Sequence, residues 1–433
     1  MVWQILGMLA VIAAIGVSIA LHEFGHFIPA KKFNLRIPDY AIGFGPALFS
    51  RRFGETKFAW RLIPVGGYVR MIGMYPPASR PAGTGRLATL AEEARAESMS
   101  EVLPSDAGRT YYELPVWKRI VIMLGGPTMN LVLAALLFTV AIAGIGFPTS
   151  STTVDRVAPC WFTATNADGS LAADGVCVGG KSAAAQAGLQ PGDVIVGING
   201  HDVVDPKSLS DALKSLPADG RATLVVRSAE GAERSADVVF QSINLRDWYQ
   251  DDTIDAEAHT SIVGIFTKPA RERLAVTVVP QAMWNITSMS AQALVSFPKK
   301  VWELGDALLH DGTRDPNGPV SVVGATVVGG QIASSGADPL DKVMSLLMLA
   351  ASLNLFLFLF NLVPLLPLDG GHVIGALWEL VRNRVRRMRG LVPGGPVDTA
   401  RLLPLTYAVS VVLIGVGSLV IFADIVKPIS LGG

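Results

Sequence analysis

Long apolar runs alternate with mixed stretches along the chain. A helix needs about 20 mostly apolar residues to cross a bilayer. Four runs reach that length: Val2 to Leu21, Ile120 to Phe147, Val343 to Asn361 and Leu402 to Ala423. Between the first two, alternation around Lys57–Ile63 and the pair Gly66-Gly67 predict strands joined by turns. Residues 74–110 are rich in Pro, Ala, Ser and Glu and predict a flexible loop. Between the second and third runs a linker leads into a compact domain of mixed strands. Its segment Ala185–Ile195 is followed by Gly197-Ile198-Asn199-Gly200 and a short helix over Lys207–Leu216. A hairpin then pairs Ala222–Arg227 with Ala236–Phe240 across Glu230-Gly231. Residues 275–335 predict amphipathic or interfacial structure before the third run.

Composition agrees with a membrane protein. The 433 residues are 50% hydrophobic and 17% charged, where about 25% charged is usual for a soluble domain. Mean hydropathy is +0.42. The 36 basic residues balance the 36 acidic ones, which argues against a nucleic-acid partner. The N-terminal run continues into a His-Glu-x-x-His motif, so it reads as a retained span rather than a cleaved signal.

Charge is distributed unevenly, and this sets an orientation. From Lys31 to Arg119 there are 14 Lys/Arg against 8 Asp/Glu, and from Val381 to Arg401 there are 6 against 1. From Pro148 to Pro339 the balance reverses, 14 against 22. The positive-inside rule therefore puts the first and last of these segments in the cytoplasm. Both termini and the middle domain then lie outside. A compartment of that kind permits a disulfide, and Cys160 and Cys177 are the candidate pair. Two cysteines without C-x-x-C spacing form neither a disulfide scaffold nor a metal knuckle.

The candidate chemistry begins at His22-Glu23-Phe24-Gly25-His26. On a helix, residues four apart share a face, so both imidazoles can bind one metal. Glu23 stands beside them as a base for a water that zinc acidifies. Two histidines and a glutamate are costly in a bilayer and mark function. A catalytic zinc needs a third protein ligand and one open position. His201, His259 and His310 fall in the extracytoplasmic segment, which leaves Asp369 and His372 at the cytoplasmic end of the third run. Asp369 is the better candidate, and His372 reads as a supporting or interfacial residue. Pro364 and Pro367 break the helix there, and Gly370-Gly371 let the backbone turn tightly. Irregular backbone at membrane depth is tolerated where protein or a water-filled cavity covers it.

These residues resemble the bacterial site-2 proteases of the RseP type. HEFGH, GFGP, GET and IPVGGYVRMIG match, as do Trp117-Lys118-Arg119, Gly126-Pro127-Thr128-Met129-Asn130 and NLVPLLPLDGGH. The segment AGLQPGD resembles a PDZ domain. The resemblance implies one zinc ion per chain on His22, His26 and Asp369, with Glu23 as catalytic base. It implies that Asn361 positions the substrate backbone or stabilises the oxyanion, although a packing hydrogen bond is the alternative. It also implies a membrane-associated β-hairpin near residues 57–72, where Gly66, Gly67 and Tyr68 would pair with an unwound substrate by strand addition.

The expected fold class is an α-helical polytopic membrane protein with four transmembrane helices, that β-hairpin and one extracytoplasmic α+β PDZ-like domain. The corresponding segments are 1–30, 31–118, 119–147, 148–270, 271–340, 341–372, 373–401 and 402–426. The expected setting is the bacterial inner membrane, with the lipid bilayer as surroundings. The substrate would be a single-span protein, an anti-sigma factor or a remnant signal peptide, already trimmed by a site-1-type protease. RseP itself carries tandem PDZ domains, whereas this chain has room for about one. Pro367 is also shifted from the RseP pattern. The PDZ-like domain either receives a peptide C-terminus or excludes bulky ectodomains. A non-cutting PDZ scaffold and a transporter with a metal-binding broken helix are the competing classes. The intact HExxH disfavours the first, and the low span count disfavours the second.

Overall fold

The computed structural model describes all residues except 78–85, 164–176, 215–219, 240, 245–258, 311, 313, 316–317, 393 and 429–433. The chain divides into two compact units, residues 1–145 with 274–433 and residues 146–273.

The first unit is helical. Its helices are α1 (Val2–Lys32), α2 (Arg86–Ser100), α3 (Val116–Thr139), α4 (Val279–Leu309), α5 (Val322–Ser334), α6 (Pro339–Asn361), α7 (Asp369–Met388) and α8 (Leu403–Val426). Among the described residues four helical stretches, Val2–Lys32, Val116–Ile145, Pro339–Asn361 and Thr399–Val426, are long and apolar enough to cross a membrane. The protein is a multi-pass membrane protein. Polar residues mark the helix ends. Asp338 caps α6 by accepting from Leu340 N–H, and Ser321 caps α5 by accepting from Val323 and Gly324.

Helices α1 and α3 meet backbone to backbone. A Cβ on Gly25 would lie 2.2 Å from Gly125 O, and one on Gly125 would lie 2.1 Å from Gly25 O. Small residues allow such approaches in membrane helices. Below this crossing Ala30, Leu35, Ile37, Met71, Tyr111 and Ile122 form a buried cluster that ties the end of α1 to the start of α3.

Strands β1 (Asp39–Phe53) and β2 (Thr56–Arg70) belong to the same unit. They form more than the expected simple hairpin. Residues 39–42 pair with 67–70 on one side and with 57–60 on the other, while 50–52 pair with 57–59. Each long strand is thus folded into two segments. Gly43 and Gly66, both at φ +87, supply bends that L-residues rarely adopt. Segment 67–70 lies at one edge, and among the described residues no further strand pairs with it.

Two segments not expected as helix from composition are helical. Residues 86–100 form α2 because their Ala, Leu, Glu and Arg content favours helix. Arg95 then anchors α2 by an ion pair to Asp398 at 2.6 Å, and it also pairs with Glu92 of its own helix. The arginine-rich stretch, expected only as a basic segment between spans, is helical and forms the second half of α7, because its apolar residues recur with helical spacing. Gly370 and Gly371 lie in the first turn of α7, not in a left-handed turn. A Cβ on Gly370 would lie 2.4 Å from Val363 O, so their smallness serves close packing rather than a turn.

The second unit is α+β. Its strands are β3 (Phe147–Val157), β4 (Cys160–Thr163), β5 (Cys177–Lys181), β6 (Val194–Ile198), β7 (His201–Asp202), β8 (Arg221–Arg227), β9 (Glu233–Val239), β10 (Gln241–Asn244), β11 (His259–Ile262) and β12 (Ile265–Glu272). Six of them form one sheet in the order β12-β3-β6-β8-β9, with β7 on β6. Val154, Ile195, Leu224, Val226 and Val238 fill its core. The hairpin β8–β9 pairs Ala222 with Val238, near the expected register, while Phe240 lies outside the described residues. A helix occupies Pro206–Lys214. The expected Cys160–Cys177 bridge concerns side chains outside the described set. The backbone ladder there pairs Cys160 with Lys181 and Cys177 with Thr163.

Candidate metal centre

His22 and His26 lie one turn apart on α1, and their Nε2 atoms are 3.3 Å from each other. Asp369 Oδ2 is 3.3 Å from the Nε2 atom of each. The three atoms form a triangle with nearly equal edges. Donors held about 2.0–2.1 Å from a tetrahedral zinc stand roughly 3.3–3.4 Å apart, so the triangle fits one such ion. Asp369 Oδ2 is also a buried oxygen without a hydrogen-bond donor. An oxygen in that state suits a cation.

Local structure explains the convergence. Asp369 is the first residue of α7, where a carboxylate is favoured by the helix dipole. The turn 362–368 packs so tightly on Gly370 and Gly371 that this helix start is carried back beside α1. His26 is buried, and its Nδ1 lies 2.8 Å from Ile122 O, which directs Nε2 at Asp369. His22 Nδ1 lies 3.2 Å from Nδ2 of the buried Asn130 carboxamide, whose Oδ1 has no partner; with the amide turned over, Oδ1 accepts from Nδ1–H and leaves Nε2 free for a metal. Partners on the far nitrogen fix ring orientation and tautomer. Gly126 supplies a bare wall, since a Cβ there would lie 2.3 Å from His26 Nε2 and 2.8 Å from His22 Cε1.

Glu23 adjoins the triangle and is half-buried. Its side chain faces edge segment 67–70, because a Cβ on Gly67 would lie 2.9 Å from Glu23 Cγ. Tyr68 points the other way, as alternation along a strand requires. Its hydroxyl accepts from Arg61 Nη2 at 2.7 Å, and its ring lies 6.3 Å from Phe44. A Cβ on Gly66 would meet the Phe44 ring at 2.7 Å. Asn361 ends α6, and its Nδ2 donates to Leu357 O at 3.0 Å, within its own helix. His372 lines a small cavity of about 20 Å³ with Tyr111 and Arg119.

Of the residues expected from sequence, the structure brings His22, Glu23, His26, Asp369 and Gly67 together, while Tyr68 turns away and Asn361 bonds within its own helix. The sequence reading assigned no role to Asn130 or Gly126, although both stand in the segment Gly126–Asn130. The available signal for Asn130 was a lone carboxamide inside a membrane-length apolar run. It also missed the buried ion pair of Arg119 with Glu379, 2.6 Å apart, which clamps α7 to α3.

Two nitrogens and a carboxylate oxygen, clustered beside a second carboxylate among membrane-length helices, define a candidate metallohydrolase centre. The chain belongs to peptidase family M50, whose model matches residues 10–392. It is 31% identical to zinc metalloprotease Rip1 of Mycolicibacterium smegmatis, over 98% of each chain. It is 31% identical to Rip1 of Mycobacterium tuberculosis, over 96% of each. Metalloprotease MmpA of Caulobacter vibrioides is 27% identical, covering 93% of this chain and 94% of that one. The protein is thus a zinc metalloendopeptidase of the site-2 protease family, whose substrates are membrane proteins in the bilayer.

Proposed function

We propose that His22, His26 and Asp369 hold the zinc and that Glu23 is the catalytic base for hydrolysis of a peptide bond within a substrate's transmembrane segment. The observation that carries this reading is the 3.3 Å triangle of donor atoms with Glu23 beside it. A zinc ion held by these three residues would supply Lewis-acid polarisation of the scissile carbonyl and would acidify a water. Glu23 takes the proton from the attacking water and passes it to the departing amine nitrogen. Asn130 and Ile122 O keep the two imidazoles aimed while this happens.

The edge of segment 67–70 receives the unwound substrate as an added strand. Its support is that, among the described residues, no further strand pairs with this edge beside Glu23, with Gly67 leaving room for the glutamate side chain. Asn361 steadies the substrate backbone or the oxyanion. Because it bonds Leu357 O when no substrate is bound, this role requires its side chain to turn.

The second unit is a PDZ-like domain outside the cytoplasm that screens what approaches, by peptide capture or by bulk. The protein sits in the bacterial inner membrane with both termini outside, a reading supported by the basic segments 31–119 and 381–401. Its substrate is a single-span protein trimmed beforehand by a site-1-type protease, an anti-sigma factor or a remnant signal peptide.

Detergent-purified protein offered a single-span reporter without its ectodomain tests the proposal. Wild type cuts within the span, and a zinc chelator stops it. Glu23→Gln keeps its zinc but cuts on the order of 10²–10⁴-fold more slowly. A Glu23→Gln protein as active as wild type removes Glu23 from the mechanism.

A further inference from the structure

We propose that α7 is an in-plane interfacial helix that selects anionic phospholipid headgroups through Arg384, Arg387 and Arg389, the last at its C-terminal cap. The proposal rests on the protein's being embedded in a bilayer and not on its catalytic reading.

Helix α7 has two unlike long faces. Ala376 and Glu379 are buried, and Glu379 pairs with Arg119 of α3. The opposite face carries Ile374, Leu377, Trp378, Val381 and Met388, which are 41–73% exposed. Their spacing of three, four and seven places them along one stripe. Large apolar side chains lined up in water would be costly, and such a stripe marks a surface that something covers.

The arginines identify what covers it. Arg384, Arg387 and Arg389 are exposed, and among the described residues none of them has an ion pair. Arg382 and Arg386 differ, since they donate to the Gly395 and Val392 carbonyls. The nearby acids are already engaged: Glu379 by Arg119, and Asp398 by Arg95 and Arg401. The helix therefore presents unneutralised positive charge beside an apolar stripe. That combination of a basic polar face and a Trp/Leu face is the pattern of helices lying in the membrane interface. Its position agrees, because α6 and α8, on either side in the chain, are both long and apolar enough to span. The stripe then enters the acyl region, and the guanidiniums reach phosphate-bearing anionic headgroups, which they can bind bidentately. Each arginine near an anionic surface contributes on the order of a fivefold preference.

Fluorescence quenching tests this in nanodiscs made of equal parts phosphatidylcholine and phosphatidylglycerol. One lipid at a time carries bromine on its acyl chains. The Trp378 signal is the difference between wild type and Trp378→Phe. Both brominated lipids quench Trp378, and brominated phosphatidylglycerol quenches it more. The excess falls in Arg384→Gln/Arg387→Gln/Arg389→Gln, while quenching by brominated phosphatidylcholine persists. If the triple variant fails to fold, seen as loss of bound zinc, Arg387→Gln alone carries the comparison with a correspondingly smaller fall. Equal quenching of wild type by the two lipids overturns the headgroup selection. Absence of quenching by either lipid overturns the interfacial placement and shows the stripe covered by protein or left in water.

Discussion

Asp369 Oδ2 and His26 Nε2 stand 3.3 Å apart, one at the start of α7 and the other near the end of α1. The contact joins the two motifs, HEFGH and LDGGH, that lie at opposite ends of the sequence. It depends on a carboxylate oxygen with no hydrogen-bond donor, held by a helix start.

Removing that oxygen should empty the centre. Asp369→Ala is expected to lower zinc from about one ion per chain to near zero after dialysis, as a site reduced to two protein ligands holds zinc weakly. Atomic emission on the folded variant measures this. Zinc retained at the wild-type level would mean that the third ligand lies elsewhere.

Asn130 should matter without touching the metal. Its carboxamide is 3.2 Å from His22 Nδ1, and loss of such a partner typically costs 10–100-fold in metal affinity or activity. Asn130→Ala is therefore expected to release zinc to a competing chelator about 10–100-fold more readily. Asn130→Asp, which keeps an acceptor oxygen, should recover part of the loss. Equal zinc affinity in wild type and Asn130→Ala would reduce the contact to packing.

Gly126 should tolerate no side chain. The added Cβ of Gly126→Ala would lie 2.3 Å from His26 Nε2, closer than real atoms approach. Either α3 or the imidazole must move, and the donor triangle must open. Cleavage is expected to drop at least tenfold, since displacements of about 1 Å can cost 10²-fold. Zinc titration alongside the cleavage assay separates a distorted site from a lost fold.

The ion pair of Arg119 and Glu379 should be needed for stability rather than chemistry. Both side chains are buried, and Glu379 also accepts from Val397 N–H at 2.9 Å. Glu379→Ala leaves a buried guanidinium alone, a change that typically costs about 3–5 kcal/mol. The expected result is a marked fall in thermal unfolding temperature, while Arg119→Met/Glu379→Leu loses less. A single variant as stable as wild type would show that water reaches Arg119.

How far the site could be read in advance depended on whether its parts were local. His22, Glu23 and His26 sit within five residues, so helical periodicity alone gathers them. Asp369 was reached by a compartment argument, in which the positive-inside rule assigns His201, His259 and His310 to the other side of the membrane. Asn130 and Gly126 were in view as residues but not as parts of the site, because their roles exist only where α3 crosses α1. Helices α2 and α7 were not read as helix because charged and small residues dilute the hydrophobic pattern there. The burial of Arg95, Ala376 and Glu379 then comes from partners distant in sequence.

The sequence by itself determined four membrane-length apolar helices, an α+β domain between the second and third, and the HExxH and LDG motifs. These follow from hydropathy, periodicity and spacing, which are properties of the chain read locally. Tertiary structure alone decided the 3.3 Å donor triangle, the twofold use of strands β1 and β2, and the clamp of Arg119 on Glu379. Each of these depends on the close approach of backbones at glycines such as Gly25, Gly125 and Gly126, or on burial that forces a charge to find its partner. Neither is encoded in any one segment.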